Sequence, residues 1–277
     1  MRQYEKNITS QFGEDGIIEY LFSKIGVSNE PWCVEFGAWD GEYLSNTYNL
    51  VFNQGSNCVY IEGDSNKAKE LRNKVSKLSN QKIFVLNNFV ESQGVNSLDN
   101  LLGQTDIPKE FDLLSIDIDG IDYHVWKNFK DYNPKIVLIE HNPTIPPHLE
   151  YIPDEKSSLV GASTLALYGL GQLKGYELVY CTDTNSIFVR KDFFQLFNIN
   201  DNTPEKLMKK DHITYLISKY DGSYLVNKEP AFINIFDNNI FNNAKKDIPI
   251  WQKLFLYYKL IKNFRIKGIY IREEKFL

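Results

Sequence analysis

The chain has 277 residues, 43% of them hydrophobic and 14% aromatic, and a formal net charge of −5. That content fills one large α/β domain with room for a small appendage, and the acidic balance argues against nucleic acid as the main partner. No apolar run reaches the ~18 residues that span a bilayer, and the polar start MRQYEKNITSQFGED carries no apolar leader core, so the expected location is the cytoplasm.

Ile17, Ile18, Leu21, Phe22 and Ile25 recur at helical spacing and predict an amphipathic helix over 10–25. Ser10 reads as its cap with Glu14 and Asp15 in the first turn; the alternative is that Gln11, Glu14 and Asp15 belong to a lid over a bound cofactor. A buried strand is predicted at 32–36, then a turn and a helix over 44–53. A second strand falls at 58–61, a charged helix follows from Ser65, and a third strand lies within 82–88. Residues 96–102 predict a short helix or turn, 111–120 a fourth strand, IDYHVWKNF a helix and 134–142 a fifth strand. A proline-rich polar loop follows, then a helix over 162–176 and two late strands. Strands alternating with helices through short connections imply a mostly parallel sheet with helices on both faces. The two late strands suit an antiparallel hairpin at its edge, which completes seven strands. That ending is typical of the methyltransferase variant of the Rossmann fold. Cys33, Cys58 and Cys181 sit inside apolar strand-like runs and read as buried thiols.

Residues 1–195 form the expected binding domain. Residues 196–277, rich in Asn, Lys and aromatics, read as an appendage that packs on it or on a partner subunit in a homo-oligomer. From 251 onward seven Lys and Arg face two Glu, so a stretch lying on an anionic membrane surface is the second reading of that segment.

The chemistry centres on CVEFGAWDG at 33–41 and VYIEGD at 59–64. A strand, a glycine turn, a helix and a second strand ending in an acid is how Rossmann-like folds grip an adenosine, the acid taking both ribose hydroxyls. Glycines at the turn let a ligand approach backbone that a Cβ would shield. The turn Gly37-Ala38-Trp39-Asp40-Gly41 lacks the second glycine of G-x-G-x-x-G, and it carries acids at Glu35 and Asp40. Acids repel a pyrophosphate and suit a cation. S-Adenosylmethionine, which carries an ammonium and a sulfonium and no phosphate, is therefore favoured over NAD, with Glu35, Gly37, Ala38, Asp40 and Glu62 as its contacts.

Each predicted strand ends in polar groups: Glu35, Glu62, Asn87 and Asn88, Asp117 and Asp119, then Glu140, His141 and Asn142. In an open α/β sheet these ends form one edge, where ligands bind. Asp117 serves the cofactor side and, with Glu140 and His141, a divalent metal, Mg²⁺ or Mn²⁺. Such a metal lowers the pKa of an acceptor hydroxyl. Asp119, His124 or His141 would take part in the proton transfer, and His148 is a further base candidate.

SQFGEDGIIEYLF, VEFGAWDGEYLSNT, YIEGD, LSIDIDGIDYHVW, IEHNP and NSIFVRKD, in this order over residues 10–192, resemble FkbM-related class I S-adenosylmethionine methyltransferases of bacterial polysaccharide clusters. The resemblance implies O-methylation of a sugar hydroxyl, on a nucleotide-activated or capsular sugar. It implies cofactor contacts at Gly37, Asp40 and Glu62, Asn88 near the adenine, and Gln11 or Ser10 near the methionine end. It also implies metal ligands after strands four and five, where Asp117, Glu140 and His141 fall. The departure is Glu140-His141 where an Asp-Asp or Asp-Asn pair is usual. Two readings stand beside it: a metal-independent N-methyltransferase of a small amine, and a non-catalytic Rossmann-like binding subunit.

Overall fold

A computed structural model of the chain describes residues 1–118, 120–155, 161–218 and 224–227. The chain divides into two compact units, Met1–Asp211 and His212–Leu277. The first holds seven strands: β1 (Trp32–Phe36), β2 (Asn57–Ile61), β3 (Ile83–Leu86), β4 (Leu113–Ile116), β5 (Ile136–Glu140), β6 (Tyr176–Cys181) and β7 (Asn185–Arg190). Its helices are α1 (Glu14–Ile25), α2 (Ser65–Val75), α3 (Leu98–Leu102), α4 (Asp122–Asn128), α5 (Thr164–Leu173) and α6 (Pro204–Leu207). The strand order is β3-β2-β1-β4-β5-β7-β6. β1 to β5 pair in parallel, and β7 runs antiparallel between β5 and β6. This is the Rossmann-like α/β fold with an antiparallel edge hairpin.

The sheet is covered on both faces because its strands are apolar on both faces. Strand periodicity of two sorts the side chains. The register line Ile83, Cys58, Cys33, Leu113, Ile136, Val189 faces α1 and α2. The next line, Phe84, Val59, Val34, Leu114, Val137, Phe188, faces α3, α4 and α5. All three cysteines are buried free thiols within these layers. On α1, Ile17, Ile18 and Leu21 are fully buried, each stabilising by about 1.5–3 kcal/mol.

The predicted helix at 10–25 begins at Glu14, four residues late, with Gly13 as N-cap. Ser10 nonetheless satisfies a first-turn donor, since its Oγ accepts the Asp15 amide at 3.0 Å. Glu14 is buried and ties α1 to the β6–β7 turn, accepting Thr182 Oγ1 at 2.6 Å and Asn185 Nδ2 at 3.1 Å. The predicted helix at 44–53 is absent as such: only Asn49–Asn53 is helical, as a π-turn.

The first unit runs to Asp211. Phe197 and Met208 are buried in its core. In the second unit the described strands are β8 (Leu216–Ser218) and β9 (Tyr224–Val226), an antiparallel pair. The basic aromatic segment from 251 lies outside the described residues. Among the described residues no helix is long and apolar enough to cross a membrane.

Candidate functional site at the carboxyl edge of the sheet

The chain leaves β1 toward β2 and β3, and returns to β4 on the other side of β1. The switch point between β1 and β4 is where such sheets bind ligands. A cavity of about 450 Å³ lies there, lined by residues that include Glu35, Gly37, Ala38, Glu62, Asn88 and Asp117. Its volume falls within the range of small-molecule sites.

Gly37 makes the turn possible. Its φ is +75°, and a Cβ there would stand 1.8 Å from the carbonyl oxygen of Asp117. The end of β1 therefore packs directly on the backbone that follows β4. The amides of Gly37 and Ala38 both donate to the Ile61 carbonyl, at 3.1 and 3.3 Å. Trp39 and Leu44 follow at φ +48° and +56°. Side chains rarely adopt that region, and strain of this kind collects at functional sites.

Glu35 lies in the α1/α2-facing layer between Tyr60 and Ser115 and is buried. Its Oε2 accepts Ser45 Oγ and Thr47 Oγ1, each at 2.6 Å, and its Oε1 accepts the Asn46 amide at 2.8 Å. This explains the missing helix at 44–47: the hydroxyls and amide of the Ser-Asn-Thr run turn to the carboxylate. Burial raises the Glu35 pKa despite these three donors, with a small further push from the charge of Asp15. The folded protein thus holds the Glu35 proton more tightly than the unfolded chain, from the ordinary carboxyl value of 4.5 upward. The linked stability is present below that pH and is lost as pH rises through the folded pKa. Glu35→Gln keeps the shape and accepts the Asn46 amide, so it should lack this loss. Denaturant titrations at pH 5 and pH 8 should show the variant gaining on the wild type at the higher pH. Parallel pH profiles for the two proteins would refute the assignment.

Glu62 ends β2 at the opposite wall. Its Oε2 accepts the Trp39 amide and its Oε1 the Asp64 amide, both at 2.7 Å. Each carboxylate oxygen retains a second lone pair. Asn87 Nδ2 donates to the carbonyls of Glu62 and Gly63 and fixes this end of β2. Asn88 lines the cavity, its Nδ2 3.2 Å from Asn96 Oδ1.

Other sequence-predicted residues stand elsewhere. Asp40 lies outside the cavity lining: Oδ1 accepts the Glu42 and Tyr43 amides, and Oδ2 pairs with Lys74 at 3.0 Å. Burial opposes its charge, but the Tyr43 amide and Lys74 outweigh it and hold its pKa low. Gln11 is exposed, and its carbonyl accepts Asn7 Nδ2 at 2.9 Å. His124 turns away to the loop after β5, with Nε2 2.7 Å from the Pro153 carbonyl and Nδ1 3.4 Å from Glu155. His148 is exposed in that loop. Asp119 lies outside the described residues.

The expected metal set is not assembled. Among the described residues no group of three His, Cys, Asp or Glu side chains could hold a metal ion. Asp117 is exposed at the cavity. His141 is buried, its Nδ1 3.1 Å from Ser186 Oγ and its amide bonded to the Thr184 carbonyl. Glu140 pairs in register with Asn185. The cause is β7: running antiparallel beside β5, it brings the β6–β7 turn over the end of β5 and draws His141 into that seam.

Sequence reasoning missed Ser45, Asn46 and Thr47 as supports of Glu35, and Trp39, Tyr43, Phe89 and Val90 as lining. The consecutive hydroxyl and amide side chains of 45–47 were the available signal, since such residues favour local bonds over helix.

No family model matches the chain, and no curated protein matches it. Among solved structures, the magnesium protoporphyrin IX methyltransferase of Synechocystis PCC 6803 with bound SAM is similar at a TM-score of 0.41 and 10% identity, over 64% of this chain and 77% of that one. A SAM-dependent methyltransferase from Aquifex aeolicus gives 0.40 and 12%, over 64% and 88%. The CMeT domain of the citrinin polyketide synthase gives 0.43 and 15%, over 64% and 51%.

Proposed function

We propose that this chain is an S-adenosylmethionine-dependent methyltransferase acting on a sugar hydroxyl. The observation that carries the cofactor is the cavity at the β1–β4 switch point, where Glu35, the Gly37 turn, Glu62 and Asp117 meet. Its three acids suit a ligand with positive groups. A dinucleotide fits poorly, because a pyrophosphate needs a helix N-terminus after the glycine turn. Here residues 45–47 bond Glu35, and the helical turn comes only at Asn49–Asn53. The sugar acceptor rests on the family resemblance of the sequence motifs.

When bound, the cofactor supplies the electrophilic methyl group. Glu62 presents the remaining lone pairs of its oxygens to the ribose hydroxyls, held in place by the Trp39 and Asp64 amides. Glu35 braces the 45–47 segment beneath the glycine turn through Ser45, Asn46 and Thr47. Asp117, exposed at the cavity after β4, would accept the hydrogen bond of the acceptor hydroxyl, align its oxygen for in-line displacement and take its proton as the oxygen–methyl bond forms and the methyl–sulfur bond breaks, leaving S-adenosylhomocysteine. No step runs through a metal, since the described residues do not form a ligand set.

The test is methyl transfer from radiolabelled S-adenosylmethionine to a panel of methyl pyranosides and nucleotide-activated sugars, with and without EDTA. Label should pass to a pyranose hydroxyl, EDTA should leave the rate unchanged, and Asp117→Asn should lower it by about 10²-fold or more. Loss of turnover in EDTA with rescue by Mg²⁺ would restore the metal. Transfer to amines alone would overturn the sugar acceptor.

A further inference from the structure

Three aromatic side chains ring the cavity and stand in solvent: Trp39 at 47% exposure, Tyr43 at 66% and Phe89 at 75%. Burying such rings is strongly favourable, so their collection around one cavity calls for a reason. The loop that carries two of them is held against its preferences. Trp39 and Leu44 both have positive φ. The Trp39 amide is bound to Glu62, and Lys67 Nζ stands 4.8 Å over its ring. The Tyr43 amide is bound to Asp40, which is itself locked by Lys74. These bonds fix the backbone that carries both rings.

The charges beside the two loop rings are matched within the protein. Glu62 receives two amides, Asp40 and Glu42 share Lys74, and Lys67 pairs with Glu70 at 2.8 Å. A charged acceptor would have to displace one of these partners. A neutral ring with an apolar face needs only flat aromatic surface for its C–H face and spare lone pairs for its hydroxyls.

We infer that Trp39 and Tyr43 form the acceptor platform, on which a pyranose stacks before methyl transfer. This rests on the methyltransferase reading and assigns its acceptor-positioning residues. Aromatic stacking of a ligand ring typically changes affinity by about tenfold or more.

Saturation-transfer NMR tests this on the full chain, with methyl glucoside, galactoside and mannoside as probes and choline as the ammonium control. Spectra are taken with and without S-adenosylhomocysteine, whose binding is followed separately by calorimetry. Ring C–H protons of at least one pyranoside should receive saturation from the wild type. Tyr43→Ala and Trp39→Ala should weaken that probe about tenfold, and Tyr43→Phe should retain it. The Tyr43 variants should bind S-adenosylhomocysteine as the wild type does. No transfer to any pyranoside, undiminished transfer in Tyr43→Ala, or an aromatic-dependent signal from choline alone would overturn the platform. Failure of S-adenosylhomocysteine to bind would instead overturn the cofactor reading, and the spectra without it would still decide the platform.

Discussion

Gly37→Ala should destabilise the first unit by about 3–5 kcal/mol and abolish cofactor binding. Two costs add. Positive φ costs a residue with a Cβ about 1–2 kcal/mol. The Cβ would also lie 1.8 Å from the Asp117 carbonyl oxygen, a backbone atom that cannot swing aside. The turn must then move off the end of β4, which opens the floor of the cavity. For a unit of this size that is roughly 6–20 °C in Tm. Gly175→Ala is the control: its φ is +82°, but nothing lies within 4 Å of its missing Cβ. It should bear the conformational cost alone. Equal melting temperatures for the two variants would show that the contact with Asp117 does not matter.

Glu62→Ala should weaken S-adenosylhomocysteine by about 2–4 kcal/mol, or roughly 30- to 1,000-fold. A charged hydrogen bond is worth about 1.5–3 kcal/mol, and water replaces part of the two ribose bonds. The structure adds a second route to the same loss. Glu62 also holds the Trp39 and Asp64 amides, so its removal frees the strained 37–44 loop from the start of α2. Calorimetry on Glu62→Ala measures the sum. Affinity equal to the wild type would place the ribose elsewhere.

Much of the sheet was legible because its physics is local. Runs such as Cys58-Val59-Tyr60-Ile61 and Ile136-Val137-Leu138-Ile139 are apolar on both faces, as strands buried within a parallel sheet are. The acids at the ends of β1 and β2 followed from the same pattern. What failed depended on contacts distant in sequence. Residues 44–47 look helical until Glu35 takes their donors from ten or more positions away. His124 looks like a base until Pro153 and Glu155 claim its ring. Glu140 and His141 look like metal ligands until β7 returns alongside β5 and Ser186 meets His141. No local periodicity encodes which loop closes over a strand end.

S-Adenosylmethionine, and not a dinucleotide, is the ligand proposed for the β1–β4 cavity. Calorimetric titration of S-adenosylhomocysteine into the full chain, with NAD⁺ titrated in parallel, decides between the two. Saturable binding of one S-adenosylhomocysteine per chain and no measurable heat from NAD⁺ are expected. Absence of S-adenosylhomocysteine binding, or binding of NAD⁺ in its place, would overturn the assignment.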